Sequence, residues 1–244
     1  AAAPLALALP GRVLAATGRP IKIGFVSPRT GPLAAFGEGD AYVIDEMRRV
    51  LANGITVNGV QHPVVIIDKD SQSSANRAAE IASALIKSDK VDLMMAASTS
   101  ETVNPVADQC EINRVPCITT DNPWQAYFFG RGGRPDKGFK YTYHFFWGLE
   151  DAIAVFTSLW DSVPSNKVVA AIWPNDPEGI SFGDAKTGFP AALAAKGFKV
   201  IDPGRINPAA TDYSAQISRF KAEKAEILTG VFTPPEMPFV PSVR

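Results

Sequence analysis

Residues 91–120 read VDLMMAASTSETVNPVADQCEINRVPCITT, and this stretch decides the fold. Residues 91–95 form an apolar run of the length expected for a buried strand, and residues 115–118 form a second one. A polar loop and a helical segment separate the two runs. A strand, a helix and a strand in this order predict a βαβ unit, whose strands lie parallel and are joined by a right-handed crossover.

The same alternation extends toward the N-terminus. We predict strands at residues 21–26 and 64–67, and helices at residues 36–52 and 75–87. Together with the βαβ unit, this half of the chain has four predicted strands alternating with three helices. Such an order is typical of a parallel sheet with helices packed against it.

A second series of elements follows toward the C-terminus. Residues 121–140 are rich in Gly, Pro and aromatic residues and predict a long surface loop, and residues 141–147 are β-prone. The elements predicted after them are helices at residues 150–160, 182–196 and 213–221 and strands at residues 167–173, 199–201 and 226–231. We therefore predict an α/β protein of two Rossmann-like lobes with parallel sheets. Residues 21–147 would form the N-terminal lobe, and residues 148–244 an incomplete C-terminal lobe.

The composition excludes several classes of partner. The chain has 24 basic and 25 acidic residues and a net charge of −1, without a basic block. Nucleic acid is therefore not an expected partner, because its binding needs a basic surface. After the N-terminal segment, the sequence has no apolar stretch of the roughly 20 residues that a membrane-spanning helix requires.

Residues 1–20 differ from the rest of the chain, since residues 1–16 are mostly small and apolar. This segment resembles the end of a signal peptide with its cleavage site, which indicates an exported protein. The alternative is a loosely packed N-terminal arm. We exclude the segment from the predicted fold in either case.

The two cysteines, Cys110 and Cys117, are seven residues apart. We expect two small buried side chains, one on a helix and one entering a strand; a disulfide is the alternative. A zinc site is not expected, because the only histidines are His62 and His144, far apart in sequence.

Candidate ligand-binding residues lie where predicted strands end, since ligands of parallel α/β proteins bind beyond the carboxyl ends of the strands. Ser98, Thr99 and Ser100 open a predicted helix, with Glu101 completing a capping-box pattern after Ser98. The N–H groups of such a helix start favour a carboxylate. An ordinary capped helix end is the alternative.

Further candidates follow the next strand and stand in the other loops. Asp121 and Asn122 could bind an ammonium or hydroxyl group, or simply form a turn. Aromatic side chains in loops could form the walls of a cleft, or could instead anchor the loops by packing. These aromatic candidates are Phe36, Trp124, Phe182 and Phe232.

Catalytic patterns are missing from the sequence. It has no nucleophile elbow, no phosphate-binding P-loop and no dinucleotide fingerprint after a strand. Asp68 and Asp70 follow a strand and could suggest a metal or phospho-acceptor pocket, although a solvated turn is the simpler interpretation. We expect a protein that binds a small molecule without transforming it, and we expect neither a cofactor nor a metal.

Four segments, taken in order, resemble one family. Residues 21–39 have a strand followed by Thr30-Gly31-Pro32 and Phe36-Gly37, and residues 91–120 have the strand, Ser/Thr loop, helix and strand. Residues 172–185, IWPNDPEGISFGDA, and 227–237, ILTGVFTPPEM, continue the pattern. The chain thus resembles the branched-chain amino-acid binding proteins of ABC transporters, which have the type I periplasmic-binding-protein fold, and the resemblance implies a chain truncated at the C-terminus.

The resemblance implies two lobes that close on a ligand by a hinge motion. It also implies that Ser100 binds a ligand carboxylate with the help of Ser98 and Thr99, and that Asp121 and Asn122 contact the ligand's head group. The aromatic residues it places at the pocket are Phe36, Phe182 and Phe232.

The chain departs from the family at two aromatic positions, because Phe182 and Phe232 stand where amino-acid binders often have tyrosine. Together with Trp124 and Trp147, they favour a more apolar ligand, such as an aromatic or aliphatic acid or an amide. The implied protein is a monomer, periplasmic or tethered outside the membrane, that delivers this ligand to the permease of an ABC importer. A ligand-sensing regulatory module of the same fold is the alternative, and an enzyme is a further one.

Overall fold

The computed structural model describes residues 17–207 and 210–232, where helices and strands alternate. The elements of the first half are β1 (Ile21–Ser27), α1 (Asp40–Val50), β2 (Ile55–Val57), β3 (Val60–His62), β4 (Val64–Asp70), α2 (Ala75–Lys87), β5 (Leu93–Ala96), α3 (Ser100–Asn113), β6 (Cys117–Thr119), α4 (Trp124–Phe128) and β7 (Thr142–His144). Those of the second half are α5 (Leu149–Asp161), β8 (Val168–Pro174), α6 (Pro177–Phe182), α7 (Phe189–Ala195), β9 (Lys199–Ile201), β10 (Arg205–Ile206), α8 (Ser214–Ala222) and β11 (Ile227–Gly230). The predicted signal-peptide remnant or arm lies outside the described residues except for residues 17–20.

The larger sheet has five strands in the order β4-β1-β5-β6-β7. All neighbouring strands are parallel, with Ile23 of β1 opposite Leu93 of β5 and Met95 of β5 opposite Ile118 of β6. The β5-α3-β6 connection confirms the predicted βαβ unit. Because the strands are parallel, the loops after β1, β5 and β6 emerge at the same edge of the sheet.

The smaller sheet is built around β8, which pairs in parallel with β9, β10 and β11. The predicted α/β class with two parallel sheets is therefore confirmed. The division into lobes at residues 147 and 148 stays a prediction. None of the helices in the described part of the chain has the length and hydropathy required to cross a bilayer.

The core of the larger sheet lies on the face covered by α2 and α3. Leu85 of α2, Met94 of β5 and Val103 of α3 are fully buried there. Cys110 and Cys117 belong to the same cluster and are both free thiols, as the simpler prediction stated. Hydrogen bonding with Cys117, together with burial, raises the pKa of the Cys110 thiol, so this side chain stays uncharged in the core.

The predicted long loop at residues 121–140 is wrong, because this stretch contains α4 and a buried arginine. The Arg131 side chain is 1% exposed, and its Nε donates to Asp108 at 2.7 Å. Its guanidinium lies over the rings of Tyr127 and Phe139, at 4.6 and 3.9 Å from their centroids. The contacts of this cation with the two rings attach the segment to the core. The amino-acid composition of residues 121–140 does not indicate such contacts.

The predicted helix at residues 182–196 is also wrong in its first half, since α6 ends at Phe182 and α7 begins only at Phe189. Asp184 ends the first of them, because its Oδ1 accepts the N–H groups of Lys186 and Thr187 at 2.9 and 2.7 Å. The loop after β8 is short, since β8 ends at Pro174 and α6 begins at Pro177. Asp176 caps α6 by accepting the N–H of Gly179 at 2.7 Å.

Two smaller differences concern the first half of the chain. The first helix begins at Asp40 and not at Phe36, which lies in a separate 3₁₀ turn over Ala34–Gly37. The antiparallel hairpin of β2 and β3 was not predicted. Its strands have three residues each, which is too short for a periodic pattern to be recognised.

The arginine pair Arg131 and Arg134 tests the anchoring of residues 121–140. Replacing Arg131 by alanine should lower the free energy of unfolding by about 2–3 kcal/mol, because the desolvated cation–π contacts and the packing of its stem are lost. The Arg134→Ala control removes an ion pair whose partners are 66% and 70% exposed, and it should cost at most about 0.5 kcal/mol. Urea unfolding measures both; equal losses would contradict this account.

Candidate functional site

The loops after β5 and β6 meet at the start of α3, and they bring together two of the predicted residues. The Nδ2 of Asn122 donates to the Oγ of Ser100 at 2.8 Å. Both side chains are buried, as is the neighbouring Ser98. The Oγ of Ser98 and the Oδ1 of Asn122 have no hydrogen-bond partner among the described residues. Buried polar atoms of this kind indicate a place where a ligand or water can bind.

A residue from the smaller sheet completes this site. Glu178, in the first turn of α6, accepts the backbone N–H of Ser100 with its Oε1 at 2.5 Å. Its side chain is buried, and no salt bridge to it forms among the described residues. The start of α3 therefore already holds a carboxylate, and elements from both sheets form the site.

The sequence did not predict Glu178 as a site residue, because the family-like motif in this segment is the nearby Phe182-Gly183 pair. A signal for it was present, since Asp176-Pro177-Glu178-Gly179 directly follows the carboxyl end of β8. Ligand-facing side chains are expected at such a position in a parallel sheet.

The predicted capping box of Ser98 and Glu101 is wrong. The residue before α3 is Thr99, and its side chain makes no capping hydrogen bond. Glu178 provides the acceptor that a local side chain would otherwise supply at the first N–H of the helix. Ser98 itself has a φ of +107°, a backbone conformation that is costly for a residue other than glycine and is found most often at functional sites.

Carboxyl groups dominate the electrostatics around the start of α3. Burial raises the pKa of Glu178 to about 7, with a smaller contribution from the charge of Asp176, while the N–H of Ser100 opposes the shift. Burial also raises the pKa of Asp176, and burial and Asp176 together raise the pKa of Glu101. The folded chain thus disfavours negative charge on these groups.

His144 of β7 holds the Asn122 loop in place. Its Nε2 donates to the carbonyl of Asn122 at 2.6 Å, and Thr119 Oγ1 donates to its Nδ1 at 2.8 Å. The ring stacks on Tyr127 at a centroid distance of 4.4 Å. Burial lowers the pKa of His144, which agrees with the neutral tautomer that these hydrogen bonds require. Asp121 stands beside this loop with a φ of +71°.

The aromatic candidates divide into two groups. Phe36, Trp124 and Trp147 keep 37–44% of their surface exposed. Phe182 is buried and stacks on Phe189 at 5.5 Å, and Phe232 is partly buried against the apolar cluster of β8 and α8. The packing of Phe182 and Phe232 corresponds to the alternative interpretation, in which aromatic residues anchor their loops.

Asp68 and Asp70 bind neighbouring groups of the protein. Asp68 pairs with Arg29 and Arg48, and Asp70 accepts the N–H of Arg29 at 2.8 Å and the hydroxyl of Thr30 at 2.6 Å. The described residues contain no group of three acidic, His or Cys side chains that could hold a metal ion. The aspartates therefore shape the loop after β1, beside which lies a depression of about 430 Å³.

Comparison with known sequences gives one clear result. The sequence profile of the family described as periplasmic binding protein matches residues 20–241. A comparison with curated proteins found no match.

Solved structures show the same fold at low sequence identity. A solute-binding protein of an ABC transporter from R. palustris, solved with 4-hydroxybenzoate, has a TM-score of 0.72 and 21% identity over 91% of this chain. A periplasmic binding protein from Burkholderia mallei has a TM-score of 0.72 and 19% identity over 92% of this chain. A leucine-binding protein from Thermotoga maritima has a TM-score of 0.67 and 22% identity over 86%. This chain spans 57%, 56% and 55% of their respective lengths.

The burial of Glu178 predicts a pH dependence of stability. Its pKa is about 7 in the folded chain and near the ordinary 4.5 in the unfolded chain, so its contribution is full below pH 4.5 and is lost as the pH rises through 7. Relative to Glu178→Gln, the wild type should therefore lose on the order of 3 kcal/mol of unfolding free energy between pH 4.5 and pH 8. Asp176 is present in both proteins, so the comparison reports the titration of Glu178 together with its coupling to Asp176.

Urea unfolding of the two proteins at pH 4.5, 6 and 8 measures this difference. A difference that is the same at all three pH values would show that Glu178 is as well solvated in the folded chain as in the unfolded one.

Proposed function

Because the chain belongs to the periplasmic binding protein family, we propose that it binds a small carboxylate-bearing ligand between its two sheets for delivery to an ABC importer. The start of α3 would hold the carboxylate. The binding residues would be Ser98, Thr99, Ser100, Asp121 and Asn122, with Phe36, Trp124 and Trp147 beside them.

One observation carries this proposal: the start of α3 already binds a carboxylate that the chain itself supplies. The N–H of Ser100 donates to the Glu178 carboxylate across the space between the sheets. A free helix N–H and the positive end of the helix dipole favour any carboxylate placed there. The hydroxyl groups of Ser98 and Thr99, which are buried and have no partner within residues 17–207 and 210–232, would be further donors for a ligand carboxylate.

The relatives and the exposed aromatic residues support an acid with an apolar body as the ligand. The similar R. palustris protein was solved with 4-hydroxybenzoate, and the similar Thermotoga maritima protein is a leucine-binding protein. Trp124 and Trp147 offer apolar surface near the start of α5, and Trp124 is oriented by a 2.8 Å hydrogen bond from its Nε1 to Glu150. Aromatic faces of this kind suit a benzoate ring or a branched aliphatic chain.

The same proposal includes the cellular location of the protein, its partner and its oligomeric state. Family membership supports an exported protein that works with an ABC transporter and binds without catalysis. A surface tether, as the alternative to a free periplasmic protein, and a monomeric state are parts of the proposal. A thermal-shift screen of aromatic acids, aliphatic acids, amino acids and amides tests it first, because a ligand that binds only the folded chain raises its melting temperature.

Ser100→Ala tests the carboxylate role directly. It removes the hydroxyl that accepts Asn122 Nδ2, which leaves that amide unpaired and the start of α3 less well ordered. The free energy of binding of the best acid from the screen should weaken by about 1–3 kcal/mol in calorimetry. Ser88→Ala, at the exposed end of α2, is the control and should bind like the wild type. Equal dissociation constants for all three proteins would place the ligand elsewhere.

A further inference from the structure

Glu178 occupies the place that the proposed function assigns to the ligand. Its Oε1 accepts the Ser100 N–H at 2.5 Å, and the side chain is 7% exposed. Two carboxylates cannot share one N–H in a buried site, because their mutual repulsion is weakly screened there. The ligand and Glu178 are therefore alternative occupants of the start of α3.

We propose that Glu178 is a selectivity-determining residue, a built-in competitor that a ligand carboxylate must displace from the Ser100 N–H in order to bind. This proposal rests on the proposed function and adds to it a residue that weakens the binding of simple anions. Only a ligand with enough additional contacts, to hydroxyl groups or aromatic faces, then binds well.

The hydrogen bonds around the site show what a ligand gains over Glu178. The glutamate satisfies the Ser100 N–H but leaves the hydroxyl groups of Ser98 and Thr99 without partners among the described residues. Ser98 is 1% exposed, so this unmet hydrogen-bonding capacity is a cost to the ligand-free chain. A free carboxylate has two oxygens and no tether to α6, and it can meet both the N–H and a hydroxyl.

Glu178 is able to leave without unfolding its own helix. The start of α6 is capped by Asp176, whose Oδ1 accepts the Gly179 N–H at 2.7 Å. Pro177 at the first helical position requires no N–H acceptor. The contacts with α3 lost on displacement are therefore those to the N–H and the hydroxyl of Ser100.

Two acidic residues lie near the contact between Glu178 and Ser100. Asp176 lies before α6 on the side of the smaller sheet, and Glu101 lies in the first turn of α3 on the side of the larger one. Of the two, only Asp176 acts on Glu178, whose pKa it raises, so a displaced Glu178 carboxylate stays close to a second acidic group.

Calorimetry with 4-hydroxybenzoate tests the proposal on the 244-residue chain and three variants. Glu178→Gln keeps the shape but removes the competing charge, and it should bind the acid roughly tenfold more tightly, since charged hydrogen bonds are stronger than neutral ones. Glu178→Ala frees the N–H altogether and should bind at least as tightly as Glu178→Gln. Glu101→Gln is the matched control, because it removes one charge from the same helix turn without freeing the N–H, and its affinity should change less than about threefold.

Each other result overturns the proposal in a distinct way. Equal affinities in the wild type and both Glu178 variants would show that Glu178 does not compete, and would leave the proposed function standing. Weaker binding in the Glu178 variants would show that Glu178 holds the ligand. An equal gain in Glu101→Gln would reduce the effect to general charge. Binding by none of the four proteins would contradict both this inference and an aromatic acid as ligand.

Discussion

The backbone N–H of Ser100 and the carboxylate of Glu178 form the contact on which the functional site depends. It joins α3, packed on the larger sheet, to α6, which follows the central strand of the smaller one. The N–H is the first unpaired donor of a helix, and the acceptor is a buried carboxyl group whose pKa burial raises to about 7. One hydrogen bond thus caps a helix, connects two sheets and occupies the place at which a ligand carboxylate would bind. The His144 network keeps the adjoining Asn122 loop in position.

Much of the fold could be predicted from the sequence, because the strands are short, largely apolar runs and amphipathic helices alternate with them. The βαβ unit of residues 91–120 and the helix Ala75–Lys87 agree with prediction, the latter to the residue. The same topology explains why Ser100 and Asn122 could be selected together: the loops after neighbouring parallel strands emerge at one edge. The predictions that were wrong concern segments whose structure depends on the contacts of a single side chain. Arg131 anchors residues 121–140 by contacts with Asp108 and two rings. Asp184 lies where the predicted helix is interrupted, and its Oδ1 accepts two backbone N–H groups there.

Glu178 could not be predicted for a related reason. Its partner lies 78 residues earlier in the chain, and the local pattern suggested a capping box that the structure does not form. Periodicity records which face of an element is buried, whereas a contact between two sheets depends on how they pack together. Phe182 is the converse case, since the resemblance implied a place at the pocket, packing was the alternative, and the residue is buried against Phe189. Glu178 differs from Phe182 in being a buried acidic residue that forms no salt bridge among the described residues.

A crystal structure of the chain with 4-hydroxybenzoate tests the central claim most directly. The account predicts that the ligand carboxylate lies within hydrogen-bond distance of the Ser100 N–H and of a hydroxyl of Ser98 or Thr99, and that Glu178 has turned away from α3. A ligand bound elsewhere, or a Glu178 carboxylate still on the Ser100 N–H beside a bound ligand, would contradict it.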